Sequence, residues 1–257
     1  MKIISLDSAH FYQSNSMNRG VQTFTSFISD ETQFIFLKEH LSRLLKGADF
    51  LFPEAMWPGH QNEIEAFLKT EFVPSHYFRL SIANGDLVFM KKPHTPKEAV
   101  VSLANAQSLK VATPVPAFVK SANYLVAELE IKSAQNKKFS DVVFFDQEGR
   151  VTEASTSNIF MVTADEKIVT PKTSSMILEG VTRKKLINYL KASGFSVEEK
   201  DIFKSELESS LEIWLTNAIQ GMRVVDHYEG KKAPLKNHIY NKICHEFGRF
   251  GEKYNRE

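Results

Sequence analysis

Leu37, Leu41, Leu44, Leu45 and Ala48 recur at helical spacing, with Lys38, Glu39, Ser42, Arg43 and Lys46 on the intervening faces. That pattern predicts an amphipathic helix whose apolar stripe meets a core. Ahead of it, 19–29 and 33–37 read as a pair of strands turning at Asp30-Glu31-Thr32. A second helix is predicted over Glu63 to Glu71, and a hairpin over 76–83 and 86–91 about Asn84-Gly85-Asp86. Residues 99–113 read as two short strands or irregular extended chain. Thr113-Pro114-Val115-Pro116 is the best candidate linker, because each proline pushes its predecessor into extended backbone.

The texture changes beyond that linker. Asn123 to Asn136 is predicted helical, and Val142–Asp146, Val151–Thr163 and Lys167–Thr170 read as a meander. Thr182 to Ser193 is a helix closed by Gly194 in the left-handed position. Ile213–Thr216 and Met222–Tyr228 are further strands, and His238 to Phe250 a last helix. Strands and helices mix without strict alternation, which argues an α+β fold in two parts.

Composition narrows the function classes. Lys plus Arg number 32 against 31 Asp plus Glu, a net charge of +1. No basic stripe calls for nucleic acid or an anionic membrane, so a small-molecule partner is expected. Cys244 is the sole cysteine and cannot close an internal disulfide. Neither a signal-like start nor an apolar run of membrane-spanning length is present, so a cytoplasmic protein is expected. The dinucleotide, P-loop and nucleophile-elbow glycine patterns are missing, as are C-x-x-C and H-E-x-x-H. No metal site is expected.

Chemistry must then rest on single residues. Lys120 stands where the apolar Phe118-Val119 pair ends and a helix begins, with Ser121 placed to cap it. Partial desolvation would lower its pKa and free the amine for a Schiff base. Taken alone, a lysine with its stem on apolar surface is the commoner situation. Glu153 shares a strand face with Val151 and Ser155, and small residues around it leave room for a planar ring. Such a carboxylate needs a cationic partner if buried, and is otherwise an exposed strand glutamate. Glu179-Gly180-Val181-Thr182-Arg183-Lys184-Lys185 opens a helix with three cations in a turn already made positive by the macrodipole. An anion held by the Val181 and Thr182 amides would resolve that mismatch, and Glu179 could instead offset it. Arg43 is either a phosphate ligand or the polar face of its helix.

Together and in this order, these residues resemble the class IV aminotransferases, the fold-type IV enzymes dependent on pyridoxal 5′-phosphate (PLP). The likeness runs from about Arg19 to Val225, and is closest to aminodeoxychorismate lyases and branched-chain aminotransferases. Val151 to Phe160 looks like the family's central signature, and Lys120-Ser121-Ala122-Asn123 matches the surroundings of its PLP lysine. The resemblance implies that Lys120 binds PLP and shuttles protons, and that Glu153 meets the pyridine nitrogen. It implies that Arg43, with the amides of Val181 and Thr182, holds the phosphate, and that Tyr124 lies near the cofactor. It further implies a small N-terminal α/β domain at 1–113, a linker at 114–119, a larger C-terminal domain at 120–257, and a homodimer.

Departures bear on the reaction. Many members carry a Y-G-D-G-x-F-E-T-like stretch where this chain has Arg19-Gly20-Val21-Gln22-Thr23-Phe24-Thr25-Ser26-Phe27. Aminotransferases often place a phosphate-binding threonine where Thr216-Asn217-Ala218 puts Ala218, and this string is more like the lyases. Asn217 and Ala218 are therefore expected beside the cofactor. Arg79 matches a strand arginine that could meet a substrate carboxylate or form a structural salt bridge. The expected activity is a PLP-dependent lyase of the 4-amino-4-deoxychorismate type. An aminotransferase acting on branched-chain or D-amino acids is the alternative, and an inactive PLP-binding homologue the third.

Overall fold

A computed structural model describes residues 2–5, 20–83, 85–232 and 238–254. Arg19 and Asn84, named above, lie outside them. The fold is α+β, with two compact units: Met1–Thr95 with Phe118–Asn123, and Pro96–Ala117 with Tyr124–Glu257.

The first unit carries a four-stranded sheet in the order β1-β4-β3-β2, from β1 (Lys2–Ser5), β2 (Thr23–Ile28), β3 (His76–Ala83) and β4 (Asp86–Pro93). β1 joins β4 in parallel, and the remaining pairs are antiparallel. Helix α1 (Leu37–Leu51) lies over this sheet and α2 (Gln61–Thr70) follows it. The apolar stripe read from the sequence is the buried one: Leu41, Leu44, Leu45 and Ala48 are all at most 2% exposed. Each buried leucine contributes roughly 1.5–3 kcal/mol. Phe27, Phe34 and Phe78 interlock beneath them, Phe34 meeting both rings edge-on.

The expected strand at 33–37 does not form. Asp30 Oδ1 accepts the amides of Thr32 and Gln33, and pairing ends after one Ser29–Phe34 bridge. Phe36 then turns left-handed, at φ 54°, directly before α1. Burial of Phe36 outweighs the cost of that backbone for a bulky residue.

The second unit is built on a nine-stranded sheet in the order β10-β9-β8-β11-β12-β5-β6-β7, with β13 on β12. Its strands are β5 (Val100–Asn105), β6 (Asp141–Phe145), β7 (Val151–Ala154), β8 (Asn158–Val162), β9 (Ile168–Pro171), β10 (Val197–Lys200), β11 (Glu212–Asn217), β12 (Gly221–Tyr228) and β13 (Lys231–Lys232). Helix α3 (Leu125–Asn136) packs on β6, α4 (Val181–Ala192) carries seven buried residues, and α5 (Lys204–Glu208) and α6 (His238–Phe247) complete the unit.

Several boundaries move. Residues 99–113 hold one strand, and Val151–Thr163 breaks into β7 and β8 at Ser155-Thr156-Ser157. α3 starts at Leu125 after Tyr124, with no side-chain cap, so Ser121 does not cap it. α6 stops at Phe247, and β1, β10 and β13 had no forecast.

Glu212 secures the last helix. Its carboxylate is 2% exposed and accepts from Ile239 N at 3.2 Å, Tyr240 N at 3.0 Å and Trp214 Nε1 at 2.9 Å. An anion at a helix amino end satisfies orphan amides and opposes the macrodipole. Glu212→Ala is expected to lower unfolding stability by roughly 2–3 kcal/mol, read by urea denaturation. A loss below about 0.5 kcal/mol would mean that water replaces the carboxylate without penalty.

Candidate functional site

In the first unit, Phe24 organises the cations. Its ring is 4% exposed, with Lys120 Nζ 4.9 Å and the Arg79 guanidinium carbon 3.8 Å from its centroid. Phe24 N also donates to the Lys120 carbonyl at 2.9 Å, so the lysine backbone is fixed against β2. Cation–π contact holds both charges without neutralising them. Arg79 Nε donates to Ser81 Oγ at 3.2 Å, and no carboxylate pairs with it among the described residues.

Arg43 reaches the same strand. Its Nη2 donates to Thr25 Oγ1 at 3.3 Å, and Thr25 Oγ1 lies 2.8 Å from His40 Nδ1. Thr25 Oγ1 thus bridges the Arg43 guanidinium and the His40 ring. Burial, then the charges of Arg43 and Lys120, hold the His40 pKa well below its usual value. A neutral His40 adds no positive charge beside Arg43 and Lys120.

In the second unit, Glu153 points its carboxylate at two donors. Lys110 Nζ is 3.0 Å from Oε1, and Leu178 N donates to Oε2 at 3.0 Å. The bend after β7 is tied by backbone bonds, Ala154 N to Ser157 O and Ser155 N to Val142 O, and by side chains. Ser155 Oγ donates to Asp141 Oδ1 at 2.5 Å, and Arg223 Nη2 reaches Asp141 Oδ2 at 3.0 Å. Asn217 Nδ2 donates to Ser157 Oγ, while its Oδ1 accepts from Ile219 N and Gln220 N. Asn217 thus shapes the β11–β12 turn in which Ala218 sits. Tyr124 is half-buried just before α3.

Val181 and Thr182 form the first turn of α4, buried and without a side-chain cap. Asn158 Nδ2 holds the approach by donating to Leu178 O at 2.9 Å. A Cβ on Gly180 would fall 2.0 Å from Asn158 Oδ1, so only glycine lets the chain pass. The expected cation mismatch is partly removed. Arg183 is 5% exposed and donates to Pro171 O and Glu199, both at 2.8 Å.

Three residues of these clusters carried no reading beforehand. Nothing local in the sequence marks Phe24, in the Arg19–Phe27 stretch, or His40, beside the apolar stripe of α1. Lys110 meets Glu153 across a sequence separation that no spacing rule detects.

The family model described as amino-transferase class IV matches residues 22–228. The chain belongs to the class IV aminotransferases. These are PLP-dependent enzymes. A probable branched-chain-amino-acid aminotransferase of Aquifex aeolicus is 27% identical, across 89% of this chain and 80% of that relative. An aminodeoxychorismate lyase of Vibrio harveyi is 29% identical, across 50% of this chain and 47% of its own length. A putative 4-amino-4-deoxychorismate lyase from Legionella pneumophila shares the fold at a TM-score of 0.80 and 22% identity, covering 95% of this chain and 98% of its own.

The residues of this class IV chain fit PLP. Thr182 Oγ1 and Thr216 Oγ1 are buried without hydrogen-bond partners, the former at an uncapped helix amino end suited to a phosphate. Among the described residues, no group of three or more His, Cys, Asp or Glu could hold a metal ion, and no helix is long and apolar enough to cross a membrane.

The depressed His40 pKa makes the first unit acid-sensitive. Below about 6.5 the unfolded chain takes up a proton on His40 that the folded one resists, so stability falls with pH. The urea midpoint is expected to drop between pH 7 and pH 5 more steeply than in His40→Gln. Parallel slopes in the two proteins would remove His40 as the cause.

Proposed function

We propose that this class IV enzyme is a lyase that converts 4-amino-4-deoxychorismate into 4-aminobenzoate and pyruvate. The turn Thr216-Asn217-Ala218 carries this assignment. Asn217 spends its oxygen on Ile219 N and Gln220 N, and position 218 offers a methyl where aminotransferases often offer a hydroxyl. The Vibrio and Legionella likenesses point the same way.

PLP, when bound, supplies an electron sink. Lys120 contributes the amine that bonds it, and its Nζ then takes and returns the proton at the substrate carbon. Glu153 offers its carboxylate to the ring nitrogen, while Arg43 and the amides of Val181 and Thr182 hold the phosphate. Tyr124, Asn217 and Ala218 line the cofactor. Arg79, unpaired with any described carboxylate and stacked on Phe24, receives a substrate carboxylate. A cytoplasmic homodimer is part of this proposal. Leu125, Val126 and Leu129 are exposed on α3 at 70%, 51% and 58%, which supports an apolar contact.

A second reading, an aminotransferase on branched-chain or D-amino acids, is favoured by the Aquifex relative, which aligns over most of the chain. The altered stretch before Phe27 keeps a third, an inactive PLP binder.

Purified protein given 4-amino-4-deoxychorismate is expected to release pyruvate and 4-aminobenzoate in equal amounts. Borohydride should fix PLP onto Lys120, and Lys120→Ala should lower turnover at least about a hundredfold. Bleaching of the cofactor colour by a simple amino acid, with its keto acid released and no pyruvate from the lyase substrate, would establish the aminotransferase. Bound PLP with neither reaction would establish the inactive homologue.

A further inference from the structure

Lys110 has no role in the functions above, yet its ammonium is the cation nearest Glu153. The chain after β5 runs beside β6, with Ala106 N donating to Val143 O at 2.9 Å and Lys110 N to Phe145 O at 2.8 Å. From that anchored backbone the Lys110 side chain crosses near the Phe144 ring, 5.5 Å from its centroid, to reach β7. The two ends of the ion pair differ in burial. Lys110 is 34% exposed, while Glu153 is 16% exposed. A surface pair with both ends in water has little orienting power. Here the carboxylate is largely sequestered, so each of its few donors matters more.

The donor count is informative. An ionised carboxylate has about four lone-pair sites. Lys110 takes one on Oε1 and Leu178 N takes one on Oε2, fixing the plane of the group from two sides. Each oxygen keeps a further site for another donor. A carboxylate fixed in this way meets a protonated ring nitrogen without first surrendering rotational freedom.

We propose that Lys110 is a positioning residue that keeps the Glu153 carboxylate aimed at the ring nitrogen of PLP. This rests on the assignment of Glu153 to that nitrogen. Lys110 acts through Glu153 and leaves covalent attachment to Lys120.

The test compares PLP with its 1-deaza analogue, in which carbon replaces the ring nitrogen. Dissociation constants for both are measured by absorbance titration of cofactor-stripped protein, for wild type, Lys110→Met, Lys110→Arg and Glu153→Gln. Lys110→Met is expected to weaken PLP about tenfold, equivalent to ~1.4 kcal/mol, and to leave the analogue unchanged. Lys110→Arg should restore PLP affinity to within about threefold of wild type. Equal weakening of PLP and analogue in Lys110→Met would make the lysine merely structural and overturn the proposal. If Lys110→Met does not fold, the Lys110→Arg comparison and a Lys110→Gln variant decide by the same ratio. Should Glu153→Gln discriminate between the two cofactors while the Lys110 variants do not, the Lys110 role alone is wrong. Should Glu153→Gln fail to discriminate, the placement of Glu153 at the ring nitrogen is wrong. Borohydride fixation of PLP onto Lys110, found by peptide mapping, would also overturn the proposal.

Discussion

The buried ion pair between Arg223 and Asp141 governs the geometry of the second unit. Both side chains are under 8% exposed, and the pair joins β12 to β6 across the intervening β5. Burying two charges is costly unless each is hydrogen-bonded. Here Asp141 also takes the Ser155 hydroxyl, and Arg223 also donates to Ser157. Those two serines flank the bend that ends β7 and starts β8. β7 terminates the sheet order while β8 lies far along it, so the sheet has to curl for the bend to connect them. The same knot therefore sets where Glu153 leaves β7 and where Asn158 enters β8 to hold the approach to α4.

The carboxylate and helix-end clusters illustrate two ways of managing charge. Glu153 and Glu212 are each held by donors on both oxygens, and each sits at a strand whose neighbours are apolar. Glu212 closes a helix from the side of its own amides, whereas the first turn of α4 has no side-chain cap. The contrast is between a helix amino end closed by a carboxylate of the fold and one with no side-chain cap.

Legibility in the sequence followed the range of the interactions. The α1 stripe was readable because Leu41 to Ala48 repeat locally, and Gly194 marked the end of α4 by its backbone freedom. The strand expected at 33–37 failed because the Asp30 side chain and the burial of Phe36 outvoted strand propensity, a tertiary effect. Val151–Thr163 read as one segment because no glycine or proline interrupts it, while the break depends on Asp141 and Asn217, on β6 and β11. Arg183 looked like a misplaced cation until Glu199 on β10 supplied its partner. Lys120, Glu153 and Arg43 are singled out by order and resemblance. Phe24, His40 and Lys110 carry no such signature, being defined by what folds against them.

The hydrogen bond from Phe24 to the Lys120 carbonyl has a bearing on how the chain comes together. Roughly a hundred residues lie between its partners, and the chain between 96 and 117 belongs to the other unit. The edge strand β2 therefore stays without this contact until residue 120 has been synthesised. During translation the first unit acquires Lys120 late, after its own core of Phe27, Leu41 and Phe78 can already have condensed. The contact that fixes the Lys120 backbone on β2 therefore waits until almost half of the chain has been made.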